Sequence, residues 1–221
     1  MSVPELVVML TLNDRTVENA PEVFEQCKTS KAKYFGFKEE GIPLDKMKKL
    51  YAAIRACGKT GVLEVVAYSE EEGLAGAKAA AECGCDILMG TTYHDSIRDF
   101  CKAQGIRYMP YIGEITERPS VLEGTIDGMI AEARDCLKKG VDGFDLLGYR
   151  YTGDAHELIR RFVDEVDAPV CVAGSVDSYE RLDELKNIAP WSFTIGGAFF
   201  NNRFDGTVAE QIDKVCGYIE K

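Results

Sequence analysis

Short apolar runs of β type alternate with longer amphipathic segments along the whole chain. Leu6–Leu12 is a run of the first kind, and Val17–Lys28 places apolar residues at helical spacing. The pair recurs as Tyr34–Lys38 with Leu44–Cys57, Gly61–Tyr68 with Glu70–Cys83, and Ile87–Thr91 with Ser96–Gln104. Arg107–Gly113 follows and, after a longer loop, Thr125–Lys139; then come Gly143–Tyr149 with Ala155–Val166 and Pro169–Ala173 with Ser178–Ile188. Ser192–Ile195 and a final helix, Val208–Ile219, complete the series. Gly58, Gly84, Gly105 and Gly140 stand where a left-handed residue ends a helix. Strands separated by helices predict βαβ units and a parallel sheet. Eight units with no segment left over predict an α/β protein, a single-domain TIM (β/α)8 barrel over residues 1–221; an open doubly wound sheet is the alternative. The interval from Ala67 to Gly90 equals that from Ala173 to Gly196, a faint internal repeat that suits a barrel built by duplication.

Composition narrows the function classes. A chain of 221 residues suits one α/β barrel. Its formal net charge of -11 argues against nucleic-acid and anionic-membrane partners, and any anion site must be a local arrangement against that field. No apolar stretch nears the ~20 residues of a membrane span. The first residues, Met1 to Leu6, carry no secretion-signal pattern, so a cytoplasmic protein is expected. The eight cysteines are dispersed and read as small buried hydrophobes; Cys83-Gly-Cys85 is too short and isolated for a zinc site.

In such a barrel the chemistry belongs at the carboxyl ends of the strands. Lys38 ends the second strand and can serve as a point charge or, if desolvated, as a Schiff-base amine; a surface lysine beside Glu39 is the plain reading. Glu64 interrupts an apolar strand whose two faces are both covered, so it must be paired or functional, with Lys38 on the neighbouring strand as partner. Asp145 repeats that logic on the sixth strand. Arg150 after it offers a fork for the far end of a substrate. Residues 111–124 form a long loop suited to a lid, with Tyr111, Glu114 and Arg118 as candidate contacts. Thr11, Asn13, Asp14 and Arg15 supply polar groups after the first strand, whereas His94 and His156 read as solvated. Gly174, Ser175, Gly196 and Gly197 end the seventh and eighth strands; adjacent parallel strands would set their bare amides side by side as a phosphate cradle.

Val-Ala-Gly-Ser on the seventh strand and Thr-Ile-Gly-Gly-Ala on the eighth resemble the ribulose-phosphate-binding barrel superfamily. The resemblance implies phosphate binding by the backbone of Gly174, Ser175, Gly196 and Gly197. The catalytic signatures of its familiar members do not carry over. Leu63-Glu64-Val65-Val66 stands where hexulose-phosphate synthases have Asp-x-Lys-x-x-Asp, and Asp145 stands in place of the class I aldolase lysine. The expectation is an enzyme, an isomerase, epimerase or aldolase-type lyase, acting on a small phosphorylated sugar-like metabolite next to a carbonyl. Lys38, Glu64 and Asp145 are its catalytic candidates, no cofactor is required, and a homodimer is possible. Two alternatives are a phosphoribosyl-type transferase with Mg²⁺ on Glu64 and Asp145, and a non-catalytic phosphate-ligand sensor.

Overall fold

A computed structural model describes residues 3–221. The apolar runs become eight parallel strands: β1 Glu5–Met9, β2 Tyr34–Lys38, β3 Thr60–Val65, β4 Ile87–Gly90, β5 Arg107–Met109, β6 Phe144–Leu146, β7 Val170–Val172 and β8 Ser192–Ile195. Their order in the sheet is β6-β7-β8-β1-β2-β3-β4-β5. The two ends meet through a parallel bridge between Tyr111 and Asp145, where the Asp145 N–H donates to the Pro110 carbonyl at 3.0 Å. That seam closes the ring and excludes the open doubly wound sheet.

The outer layer comprises α1 Ala20–Cys27, α2 Leu44–Ala56, α3 Glu70–Cys83, α4 Asp95–Gln104, α5 Ile126–Lys139, α6 Ala155–Glu165, α7 Tyr179–Ile188, a short α8 Gly197–Phe200 and α9 Val208–Ile219. Among the described residues no helix is long and apolar enough to cross a membrane. The eight cysteines are free thiols.

Alternation along each strand separates two apolar regions. Leu6 and Val8 of β1 join the large shell under the helices, while Val7 and Met9 join Val62, Ile87, Met89, Met109 and Cys171 inside the ring. Period two therefore carries the inward face of β3 from Val62 to Glu64. On β2 the register pairs Lys38 with Glu64, so both reach the interior at the carboxyl rim.

Three differences from the sequence expectation shape that rim. The run Leu6–Leu12 stops as a barrel strand at Met9; Thr11–Leu12 instead pairs antiparallel with Arg15–Thr16. Asn13 and Asp14 form its two-residue turn with φ of 50° and 63°, the doubly positive pattern of a type I′ hairpin. The loop after β5 folds into a second hairpin, Glu114–Thr116 with Val121–Glu123. The sixth strand ends at Leu146 and passes into a 3₁₀ turn, Gly148–Arg150.

Helix α3 lies close to the barrel because Gly73, Gly76, Ala77 and Ala80 form its buried stripe. A Cβ on Gly76 would fall 2.4 Å from Cγ1 of Val65. Alanine would gain about 1 kcal/mol of helix propensity there, but overpacking costs roughly 1–3 kcal/mol. Gly76→Ala is expected to lower stability in urea unfolding by about 1 kcal/mol net. A stabilised variant would show that α3 can move away from β3.

Candidate functional site

The hairpin after β1 is fastened to the end of β2 by one side chain. Thr16 Oγ1 accepts from the Lys38 N–H at 2.9 Å and donates to the Lys38 carbonyl at 2.7 Å. Gly41 makes the approach possible: at φ 113° its missing Cβ would stand 2.1 Å from the Thr16 carbonyl oxygen. The fastening swings the Asn13-Asp14 turn over the barrel mouth.

Asp14 thereby becomes a partner of Lys38. Lys38 Nζ lies 2.6 Å from Asp14 Oδ1 and 3.1 Å from Glu64 Oε1. The Lys38, Asp14 and Glu64 side chains are only 6, 5 and 7 % exposed. Burial alone would push the lysine pKa down, but the charges of Glu64 and Asp14, with their hydrogen bonds, outweigh it and hold the ammonium form. Burial likewise opposes the Asp14 carboxylate; Lys38 first, then Arg150 and Arg118, reverse the sign and set its pKa below the ordinary value. Glu64 Oε1 also accepts from the Tyr111 hydroxyl at 2.9 Å.

These groups floor a cavity of about 350 Å³ at the carboxyl ends of the strands. Gly174, Ser175, Gly196 and Gly197 also line it. The parallel ladders stop at Val172–Phe193 and Val8–Ile195, short of all four residues. Among the described residues no carbonyl or side-chain oxygen accepts from their N–H groups. Gly174, at φ 81°, also makes room for Arg150, whose Nε would lie 2.8 Å from a Cβ there. Arg150 therefore sits against the glycine wall and reaches Asp14 at 3.5 Å, rather than holding the far end of the cavity.

Asp145 lies below, fully buried, and neither carboxylate oxygen has a hydrogen-bond partner. The Gly90 N–H leans toward it without reaching hydrogen-bond geometry. Burial, then the charge of Glu64, raises its pKa well above the usual carboxylate range despite Lys38 and Arg150. A charge count explains this: Asp14 and Glu64 already balance Lys38 and Arg150, so a third carboxylate charge would have no partner. Burial thus favours the neutral acid form of Asp145. Among the described residues no group of three His, Cys, Asp or Glu side chains could hold a metal ion.

Of the expected site residues, the structure brings Lys38, Glu64, Asn13, Arg150, Gly174, Ser175, Gly196 and Gly197 to one cavity. Three stand apart. Arg15 turns outward, 63 % exposed beside Glu40, because alternation in the hairpin faces Thr16 inward. Glu114 is exposed on the second hairpin, away from the cavity. Tyr111 is enclosed in the barrel wall behind Glu64, since it occupies the seam that closes the ring. Arg118 pairs with Glu40, Glu39 and Asp14 at 2.9, 3.4 and 3.7 Å, and its neighbour Pro119 lines the mouth. Asn201 and Arg203 also line the cavity and were not anticipated; they follow α8, a helix too short for periodicity to reveal.

The neutral state of Asp145 has a thermodynamic sign. Its folded pKa is raised, so its contribution to stability is full below the unfolded value and declines as pH rises through the folded one. Asp145→Asn is expected to gain stability relative to the native chain progressively as pH rises from 5 to 8. Urea unfolding at several pH values checks this, and a difference independent of pH would contradict the neutral assignment.

No protein-family model matches the chain, and no curated protein matches it. Solved structures do. Orotidine 5′-monophosphate decarboxylase from Methanocaldococcus jannaschii, complexed with the inhibitor BMP, superposes with TM-score 0.75 at 14 % identity, covering 100 % of both chains. Orotidine 5′-phosphate decarboxylase from Pyrococcus horikoshii OT3 gives 0.73 at 13 %, over 98 % of this chain and 99 % of that one. N-acetylmannosamine-6-phosphate 2-epimerase from Clostridium perfringens gives 0.64 at 16 %, over 97 % and 93 %. In fold, the chain is a (β/α)8 barrel like these structures.

Proposed function

We propose that this protein is an enzyme that moves a proton next to a carbonyl in a small phosphorylated, sugar-like metabolite, as an isomerase, epimerase or lyase. The observation that carries the reading is the buried Lys38 ammonium, bracketed by Asp14 and Glu64, in one cavity with four uncommitted amides. Phosphorylated substrates in the names of the decarboxylase and epimerase neighbours agree with it. The amides of Gly174, Ser175, Gly196 and Gly197, with Arg150 beside them, would hold the phosphate. Glu64 would take the proton from the carbon next to the carbonyl. The C–H electron pair passes to the carbonyl oxygen as an enolate, whose charge Lys38 offsets before the proton returns to carbon. Lys38 held as an ammonium favours this electrostatic role over a Schiff base. Asp145 would serve as the neutral acid of the site, and the reaction so written needs no cofactor.

Solvent-deuterium incorporation into a panel of phosphorylated aldoses and ketoses, followed by NMR, tests the reading. Lys38→Met and Glu64→Gln are each expected to slow exchange by roughly 10²–10⁴-fold. Borohydride is expected to trap no adduct on Lys38; a trapped adduct would replace this mechanism with an aldolase. Binding is tested separately with inorganic phosphate, which should shift the four amide resonances. Arg150→Met should weaken that binding by roughly tenfold or more, the scale of one charge-assisted hydrogen bond. Phosphate shifts confined to other residues would remove the cradle.

A further inference from the structure

The two oxygens of Glu64 are not equivalent. Oε1 takes both the Lys38 ammonium at 3.1 Å and the Tyr111 hydroxyl at 2.9 Å. Among the described residues Oε2 accepts no hydrogen bond, yet it is absent from the enclosed polar atoms that lack partners, so it keeps access to the cavity that Glu64 lines. Tyr111 is 2 % exposed, does not line that cavity, and is held at the β5–β6 seam by its bridge to Asp145. Among the described residues its one side-chain hydrogen bond goes to that carboxylate.

We infer that Tyr111 is a positioning residue: it pins Glu64 through Oε1 and so makes Oε2 the oxygen that receives the substrate's proton. A carboxylate held by Lys38 alone could rotate about its terminal torsion, which is broad and roughly two-fold, and present either oxygen. A second donor on the same oxygen, fixed to the barrel wall, breaks that equivalence. Burial, then the charge of Glu64, pushes the Tyr111 phenol well above its ordinary pKa, so it remains a donor through the working pH range. The groups that face Glu64 are Lys38 from β2, Glu39 after it, Tyr111 after β5, Asp145 from β6 and Cys171 from β7. Of these, Lys38 forms an ion pair with it and the Tyr111 hydroxyl donates a hydrogen bond to it.

The inference rests on the proton-transfer reading above, and its test separates the two. Tyr111→Phe removes the hydroxyl and keeps the ring. The carboxyl carbon signal of Glu64, assigned with Glu64→Gln and followed by NMR, is expected to move in Tyr111→Phe relative to the native chain, because a hydrogen bond to one of its oxygens is lost. This readout needs no substrate, so it stands even where the panel shows no turnover. With a turned-over substrate, kcat should fall roughly 10- to 100-fold, the scale of a misplaced reacting group, with KM unchanged. Replacing tyrosine throughout by 3-fluorotyrosine, a stronger donor of nearly the same size, should move that signal the opposite way and guards against a Tyr111→Phe variant that fails to fold. A signal indifferent to both changes overturns the positioning role; a moved signal with no turnover supports it and counts against the reaction.

Discussion

A lysine ammonium enclosed inside a barrel is tolerable only if opposite charges and hydrogen bonds replace the water it has lost. Lys38 meets that condition through Asp14 and Glu64, and most of the site follows from it. Two carboxylates against one ammonium leave an excess negative charge, which Arg150 and Arg118 approach from the rim. No cation remains for Asp145, so it holds its proton. The protonation pattern of the whole interior is thus a consequence of how many positive charges can reach one point.

The same constraint explains the irregular pieces. A plain barrel with strand β1 running on to Leu12 would have no Asp14 above Lys38. The hairpin turned at Asn13-Asp14 supplies it, and Thr16 together with the Cβ-free Gly41 fixes the hairpin to β2. The second hairpin brings Arg118 across to Glu39, Glu40 and Asp14, and Tyr68 donates to the Glu117 carbonyl near its tip. These loops restrict access to a cavity whose floor is charged and whose glycine wall offers uncommitted amides. Such a site suits an anionic, oxygen-rich ligand, which fits the proposed substrate class in a chain whose net charge of -11 would otherwise repel it.

Much of the architecture was legible because it is written in periodicity. Runs of β-type residues closed by helix-ending glycines specify βαβ units without reference to anything distant, and eight of them with none left over specify a ring. Glu64 and Asp145 were conspicuous for a related reason: a carboxylate inside a run covered on both faces has no ordinary place to go. Glycines closing the last two strands marked the amide wall, since adjacency follows directly from parallel strand order.

What the chain alone could not determine were the relations between loops. Asp14 differs little in local sequence from Arg15, yet a single step of alternation in a two-residue hairpin buries one against Lys38 and leaves the other in solvent. Tyr111 looked like a residue of the mouth; closure of the ring at its position placed it in the wall, behind Glu64. Arg203 follows a helix of one turn, where no periodic signal exists to place it. Local pattern therefore determined the strands, the helices and the candidate acids, because each depends on neighbours a few residues away. Only the tertiary structure decided which charges meet and which carboxyl stays protonated, because those outcomes depend on burial and on charges brought from strands and loops far apart along the chain.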